Sequence, residues 1–465
     1  MTNLVNSWVG YFSLFLFFIG YILIIFEDKL HLRKSKPIVL VSCLMWLCIG
    51  VYEAMHGVGH TATTTYSLRK DSTIFYEVRH GGGTHEFIEH LIAEIGGLFF
   101  FLLVAMTYIN TLSSLNVFQA IRAKLLSRGM GYKSLFWATG GLTFIISPFA
   151  DNLTSAMLMS TVALAVSGGN KKFIVPAFVN IVVAANAGGA WSPFGDITTL
   201  MVWMEGKVET LKFLYLILPS LVNWLVPAFI MSLWIPRGKP ECGKETAALK
   251  PGARRTIFFG VLTIALGVSF HQFLHLPPFM GMMLGMGFLM FVSYYMQHWG
   301  EGKFLRNQSG PGKERRDVSS YDFFKKVEQV EFDTLLFFFG VLTAVGALQY
   351  MGHLAVVGDA LYGTLGYTFA NVAIGIVSAV GDNIPLMYAV LKMDMPMGLD
   401  QWLLITLTTG VGGSLLSIGS AAGVAVMGVN REHYTFMSHI KWAPIIALGY
   451  VGSIITWWFV TRFMM

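Results

Sequence analysis

Charge is scarce in this chain of 465 residues: Asp, Glu, Lys and Arg together make up 12%, about half the share of roughly 25% usual in soluble domains. Cysteine is scarcer, and the three present, Cys43, Cys48 and Cys242, fit neither a disulfide framework nor a metal-ligand spacing. Phosphate-cradling and Walker-type loops are missing, which excludes ATP as an energy source. No cofactor motif is present. These deficits exclude a disordered protein, a fibrous repeat and a disulfide scaffold, and they argue against an ordinary cytosolic enzyme. What is abundant is apolar: 55% hydrophobic residues, 14% aromatic, and a mean hydropathy of +0.61. Glycine is also in excess, with 49 residues against a usual share of about 7%. An all-α polytopic membrane protein follows, with helices that are closely packed or broken. The net charge of +6 then reads as the positive-inside rule rather than as a nucleic-acid surface.

A helical span needs about 20 apolar residues. Spans are expected at 8–26, 37–56, 86–110, 173–203, 211–235, 256–276, 278–297, 331–352, 401–428 and 441–460. The first is too long, and lacks the basic flank, to read as a cleavable signal peptide. Two further apolar stretches, 134–168 and 363–393, are interrupted midway by helix-breaking clusters, Ser147–Asn152 and Ser378–Asn383. With arms of about 14 residues, too short to cross, both are read as re-entrant hairpins. If the N-terminus lies outside, 25 of the 32 Lys and Arg residues fall on the inner side, leaving Arg69, Lys70, Arg79, Lys207, Lys212, Lys392 and Arg462 outside. Turning the first hairpin into a true span would erase that asymmetry. The C-terminus is then also outside. The stretch 111–133 reads as an amphipathic helix at the inner surface, with Arg122, Lys124 and Arg128 able to snorkel, and 298–330 as the basic linker between halves.

The halves repeat. A shift of 231 lays Ser147, Asp151 and Asn152 on Ser378, Asp382 and Asn383. A shift of 224 lays Gly188-Gly189 on Gly412-Gly413, Gly195 on Gly419 and Asp196 on Ser420. A shift of 237 lays Glu94 on Glu331, each opening a Phe-rich span. Each half reads as three spans, a re-entrant hairpin, a broken span and a span. One half starts outside and the other inside, so the repeats are inverted, the pattern of secondary transporters with a site at mid-membrane. The first repeat occupies 1–240. Residues 241–330 hold basic inner loops and the spans opening the second repeat, and 331–465 its remainder.

The breaks carry the chemistry. The first reads Asn186-Ala187-Gly188-Gly189-Ala190-Trp191-Ser192-Pro193-Phe194-Gly195-Asp196-Ile197-Thr198-Thr199, the second Gly412-Gly413-Ser414-Leu415-Leu416-Ser417-Ile418-Gly419-Ser420. Gly and Pro unwind helices, and freed carbonyls in lipid cost several kcal/mol each unless satisfied. Carbonyls, carboxylates and hydroxyls together form a hard oxygen cage suited to a hard cation. A carboxylate at the bilayer centre costs about 2.5–3.5 kcal/mol, so Asp151, Asp196 and Asp382 are the leading cation ligands. Capping the returning half-helix is the compatible structural role of Asp151 and Asp382. Asn152, Asn186, Thr198, Thr199, Ser378, Asn383, Ser417 and Ser420 are supporting candidates, for which packing is the alternative. Glu94, Glu331 and Asp333 are candidate proton-relay groups. His85 and His90, paired with Glu89 and Glu94 at i,i+4, serve either proton entry or a solvated helix end. The string His85-Glu86-Phe87-Ile88-Glu89-His90 misses the zinc spacing, because its second His falls at i+5.

At the two Asp-Asn tips, Ser192–Thr199 and Gly412–Ser420, the sequence resembles the NhaD-type sodium/proton antiporters of the ion transporter superfamily, over nearly its whole length. The resemblance implies a bacterial inner-membrane carrier that expels Na+ and Li+ using the proton gradient. It also implies a homodimer, and a site drawing on Asp151, Asn152, Asn186, Asp196, Thr198, Thr199, Ser378, Asp382, Asn383, Ser417 and Ser420. The residues agree chemically: a carboxylate out of water favours its protonated form, a bound cation favours the ionised form, and competition for one site gives exchange. A dicarboxylate carrier of the same superfamily is the alternative, but it should present neutral tips rather than Asp at both. The charge pattern makes a topology prediction. Alkaline phosphatase fused after Met465 will be active, and fused within 298–330 inactive; the reverse pattern would invert every loop assigned here.

Overall fold

Backbone N–H and C=O groups cannot stay bare in a bilayer, so a chain this apolar satisfies them within helices. The computed structural model describes residues 4–25, 27–30, 32–56, 83–127, 129–240, 248–298 and 322–464. Most of the outer loop 57–85 and of the linker 298–330, and Cys242, lie outside the described residues. Among the described residues all regular structure is helical, and nine helices are long and apolar enough to cross a membrane. The protein is an all-α, multi-pass membrane protein.

The expected spans are found, with α1 over Trp8–Ile25, α2 over Ser35–His56 and α3 over Thr84–Ser114. The segment read as amphipathic forms α4, Val117–Ser127, and the first hairpin forms α5, Tyr132–Ala150, and α6, Asn152–Val166. The first broken span is α7, Lys171–Gly189, followed by α8, Ile197–Met204. A 3-10 turn over Thr210–Leu216 runs into α9, Ile217–Met231; α10, Ala253–Leu274, and α11, Pro278–His298, follow. The chain continues with α12, Phe332–Met351, α13, His353–Val377, and α14, Asn383–Lys392. The second broken span is α15, Leu399–Gly412, with α16, Ala421–Val429; a short α17, Phe436–Ile440, precedes α18, Ala443–Met464.

Two details differ from expectation. The first hairpin arm, α5, has 19 residues, longer than the arm read from its apolar stretch, because helix starts two residues earlier, at Tyr132, and continues through Ser147-Pro148-Phe149-Ala150, so the break falls at Asp151 alone. It still returns on itself: the Tyr132 hydroxyl donates to the Ser167 carbonyl at 3.2 Å, joining the open ends of the two arms. The second hairpin is preceded by helix from His353 onward, set off from the arm by Gly366 at φ 72°, ψ 164°. Leu354, Gly358 and Tyr362, at i, i+4 and i+8, are buried, while the apolar Val356, Val357 and Leu365 are exposed. Cys43 is exposed and Cys48 only partly covered. They lie beside the exposed Leu40, Leu44 and Leu47 of α2, on a face suited to lipid rather than in a protein core.

Contacts gather the chain into two compact units. One comprises Met1–Phe99, Glu331–Thr364 and Tyr388–Met395. Here α2 lies along α12, where Gly340 leaves room for the backbone of Ile38 and Val39, and the Trp46 indole donates to the Thr343 carbonyl at 3.0 Å. The other unit comprises Phe100–Val330, Leu365–Met387 and Pro396–Met465. It holds both breaks and both hairpin tips.

Within that second unit each hairpin clasps a broken span in the same way. Ser147 donates to the Ala185 carbonyl at 2.6 Å, and Ser378 donates to the Thr409 carbonyl at 3.1 Å. Ala185 and Thr409 are related by the same shift of 224 as the breaks. Gly188 and Gly412 occupy matching positions where a hairpin carbonyl presses in. A Cβ at Gly188 would come within 2.5 Å of the Phe144 oxygen, and one at Gly412 within 2.0 Å of the Gly375 oxygen. Backbone against backbone cannot yield as a flexible side chain would, so Gly412→Ala should cost about 1–3 kcal/mol and lower the melting temperature of the detergent-purified protein. Gly428→Ala, where a Cβ meets nothing within 4 Å, should be neutral or slightly stabilising, as helix propensity favours Ala. Equal melting temperatures for the two variants would contradict this packing.

Candidate functional site

Both breaks end at glycine pairs whose backbones touch across the gap. A Cβ on Gly189 would lie 2.5 Å from the Gly195 oxygen, and one on Gly413 would lie 2.6 Å from the Gly419 oxygen. The chain then re-enters helix through a residue in extended backbone: Asp196 at φ −148°, ψ 150° before α8, and Ser420 at φ −145°, ψ 151° before α16. Each caps its half-helix. Asp196 Oδ1 accepts from the Thr198 amide at 3.4 Å, Thr199 Oγ1 completes a capping box by accepting from the Asp196 amide at 3.3 Å, and the same hydroxyl donates to the Asp196 carbonyl at 2.7 Å. Ser420 Oγ accepts from the Gly423 amide at 3.3 Å. Such caps satisfy the orphan amides at a helix start, and here those starts lie in the middle of broken spans.

The hairpin tips bring their own polar groups. Asp151 sits at φ 55°, a region that residues with a Cβ seldom occupy. Its Oδ1 accepts from the Thr154 amide at 2.8 Å and its Oδ2 from the Thr154 hydroxyl at 3.0 Å. Asp382 caps α14 through the Ile384 amide at 3.3 Å. The adjacent asparagines reach the breaks. Asn152 Nδ2 donates to Asn186 Oδ1 at 3.1 Å. Asn186 Nδ2 in turn lies 2.9 Å from both Ser414 Oγ and Ser420 Oγ. Asn383 Nδ2 donates to Asp196 Oδ2 at 3.0 Å. One chain of side-chain contacts therefore joins the first hairpin to both breaks, and a second joins the second hairpin to the first break.

The junction is buried and polar. Asn186, Thr198, Thr199, Ser378, Ser414 and Ser417 have no exposed surface, and Asp196 is 3% exposed. Asp382 directly precedes Asn383, whose amide reaches the Asp196 carboxylate. Among the described residues, the hydroxyls of Ser155, Thr198 and Ser417 are buried without a hydrogen-bond partner, an arrangement that costs free energy unless water or an ion supplies what is missing. Oxygen donors of this kind around a carboxylate pair suit a hard cation.

Not every sequence-derived candidate is equally available. Thr199 and Ser378 spend their hydroxyls on backbone carbonyls. Glu94, Glu331 and Asp333 belong to the first unit, each with its own partner. Glu94 pairs with Lys392 at 2.6 Å and accepts from Tyr388 at 3.4 Å. Glu331, exposed before α12, accepts from Thr334 at 3.1 Å. Asp333 accepts from Ser35. Glu94 lies well inside α3 whereas Glu331 precedes α12, so the two aligned acids differ in depth along their helices. Ser414 was not singled out from the sequence. Its signal was its place one residue past Gly412-Gly413, where it offered only a hydroxyl among many.

A family model described as citrate transporter matches residues 21–298. The chain is 46% identical over 459 residues to Na(+)/H(+) antiporter NhaD of Vibrio cholerae, an alignment covering 97% of this chain and 91% of that protein. It is 45% identical to Na(+)/H(+) antiporter NhaD of Alkalimonas amylolytica, with the same coverage of each. It is 32% identical to sodium/proton antiporter 1 of Arabidopsis thaliana, over 94% of this chain and 70% of that one. Among solved structures it resembles the YdaH transporter of Alcanivorax borkumensis, with a TM-score of 0.53 at 13% identity, covering 91% of this chain and 96% of that one, a likeness of fold. With near-full-length identities of this size on both sides of the alignment, the chain belongs to the NhaD family of sodium/proton antiporters.

Proposed function

We propose that the protein is a secondary carrier, not an enzyme, that exchanges Na+ (and Li+) for H+ across a bacterial inner membrane at the junction of the two broken spans. The observation that carries this reading is Asp196: a carboxylate 3% exposed at a mid-span break, anchored by Asn383 and neighboured by Asp382. A lone buried carboxylate is costly. Either a proton or a cation relieves that cost, and the two compete for the same oxygens. Asp196 and Asp382, with Asp151 at the other tip, are the acids proposed to share the cation. Thr198 and Ser417 contribute unspent hydroxyls, while Asn152, Asn186, Asn383, Ser414 and Ser420 hold the elements in register. Thr199 and Ser378 act by fixing backbone.

Coupling requires that the empty, charged site not cross readily. The cost of moving an unpaired carboxylate through a dry region supplies that restraint. The inverted repeat belongs to the same reading, and the matching Ser147 and Ser378 clasps and the matching Asp196 and Ser420 caps support it. Charge distribution supports both termini outside. The homodimer rests on the resemblance alone. Among the candidate relay acids, Glu94 is favoured, since its neighbour Lys392 is itself ionisable.

The test is dye-reported proton flux in everted vesicles, titrated with Na+, Li+ and K+. Wild type should respond to Na+ and Li+, and Asp196→Asn should abolish the response. Asn383→Ala removes a hydrogen bond to a carboxylate, so the apparent KM for Na+ should rise about tenfold or more. Full Na+-dependent flux in Asp196→Asn would falsify the site. A response to citrate or another dicarboxylate in place of Na+ would favour an anion carrier, the activity named by the matching family model.

A further inference from the structure

Beyond the acids and hydroxyls above, one fully buried titratable side chain touches the breaks. His439 lies on the five-residue α17, between the second broken span and α18, and has no exposed surface. Its Nε2 is 2.9 Å from the Ser414 carbonyl oxygen, and its Nδ1 is 2.6 Å from the Tyr434 hydroxyl. A carbonyl only accepts, so Nε2 carries the hydrogen, and Nδ1 must accept from Tyr434. Tyr434 is itself fully buried, its ring edge-on to Phe178 of α7 at 5.4 Å. Thr435 and Ser438 form a capping box that sets the start of α17. The imidazole is therefore fixed in position by its helix and in tautomer by a tyrosine packed on the first broken span.

Its target is significant because of what Ser414 does with its other oxygen. Ser414 Oγ accepts from Asn186 Nδ2, which also contacts Ser420, while Asn186 Oδ1 takes Asn152. Ser414 follows Gly412-Gly413 in a turn that leaves the helix: its amide donates to the Val411 carbonyl and the Leu415 amide to the Gly412 carbonyl, each at 3.0 Å, while its own carbonyl meets His439. We propose that His439 is a positioning residue for the cation site: by binding the Ser414 carbonyl it holds the second break open in the geometry that Asn186 and Ser420 require. This rests on the site assignment above. His439 touches no cation; it acts through Ser414, and Tyr434 acts through His439.

The experiment compares wild type with His439→Ala, His439→Gln and Tyr434→Phe, reconstituted in proteoliposomes at matched protein content. Two readouts are taken: Na+-dependent proton flux, and the Na+ concentration that half-saturates the rise in melting temperature. His439→Ala should raise both the apparent KM and the half-saturating Na+ about tenfold, with a smaller change in kcat. His439→Gln, whose amide can donate to the same carbonyl, should recover most of the affinity. Tyr434→Phe frees the tautomer and should raise KM by an intermediate factor. If His439→Ala lowers the melting temperature but leaves half-saturation and KM within twofold of wild type, its role is structural and the proposal fails. The proposal also fails if Gln and Ala are equally impaired. If wild type itself shows neither flux nor a Na+-dependent shift, the functional reading falls first and takes this inference with it.

Discussion

A broken helix in the middle of a membrane exposes amides and carbonyls where no water reaches them, and satisfying those groups is the constraint on which the second unit is built. The solution is the same at both breaks. Extended residues, Asp196 and Ser420, cap the new half-helix with their own side chains. Serines on the hairpins, Ser147 and Ser378, reach across to carbonyls of the broken spans. Touching glycines, Gly189 with Gly195 and Gly413 with Gly419, close the gap that a side chain would hold apart.

Satisfying backbone consumes most of the polar atoms nearby, and the remainder defines the chemistry. Asn152, Asn186 and Asn383 serve as cross-links because a primary amide both donates and accepts. Asn186 thereby ties one hairpin to both breaks. What remains unsatisfied at the breaks, among the described residues, is the Thr198 and Ser417 hydroxyls and the Trp191 indole N–H, beside the buried carboxylate of Asp196. A neutral polar network would have no such surplus of negative charge. The same groups that hold the breaks together therefore leave a deficit of the kind that the proposed exchange of a proton for a small cation would fill.

Much of this was legible in the chain. Low charge and long apolar runs specify spans because the bilayer leaves few alternatives. Asp-Asn at a predicted hairpin tip and Gly-Gly before a second Gly and a capping residue marked the discontinuities, because these residue types are tolerated there only for local conformational or capping reasons. What escaped was whatever depended on distance through space. The helix over 353–365 carries apolar residues on its exposed side as well as its buried one, which blurs the period that would mark it. Ser414 and His439 look like an ordinary serine and an isolated loop histidine until the fold brings them to 2.9 Å. The division of the candidates also escaped: Thr199 and Ser378 hold backbone, while Thr198 and Ser417 keep their hydroxyls unspent.

The sequence by itself determined the class of the protein, the order of its spans, the two pairs of discontinuities and the acids placed at them. Those properties follow from composition, period and capping chemistry, which act over a few neighbouring residues. Only the tertiary structure decided which asparagine meets which break, which hydroxyls are already committed, and that a histidine 25 residues from Ser414 in the chain supports it. Hydrogen bonds depend on distances of about 3 Å, and such distances between remote segments are fixed by packing rather than by any local pattern.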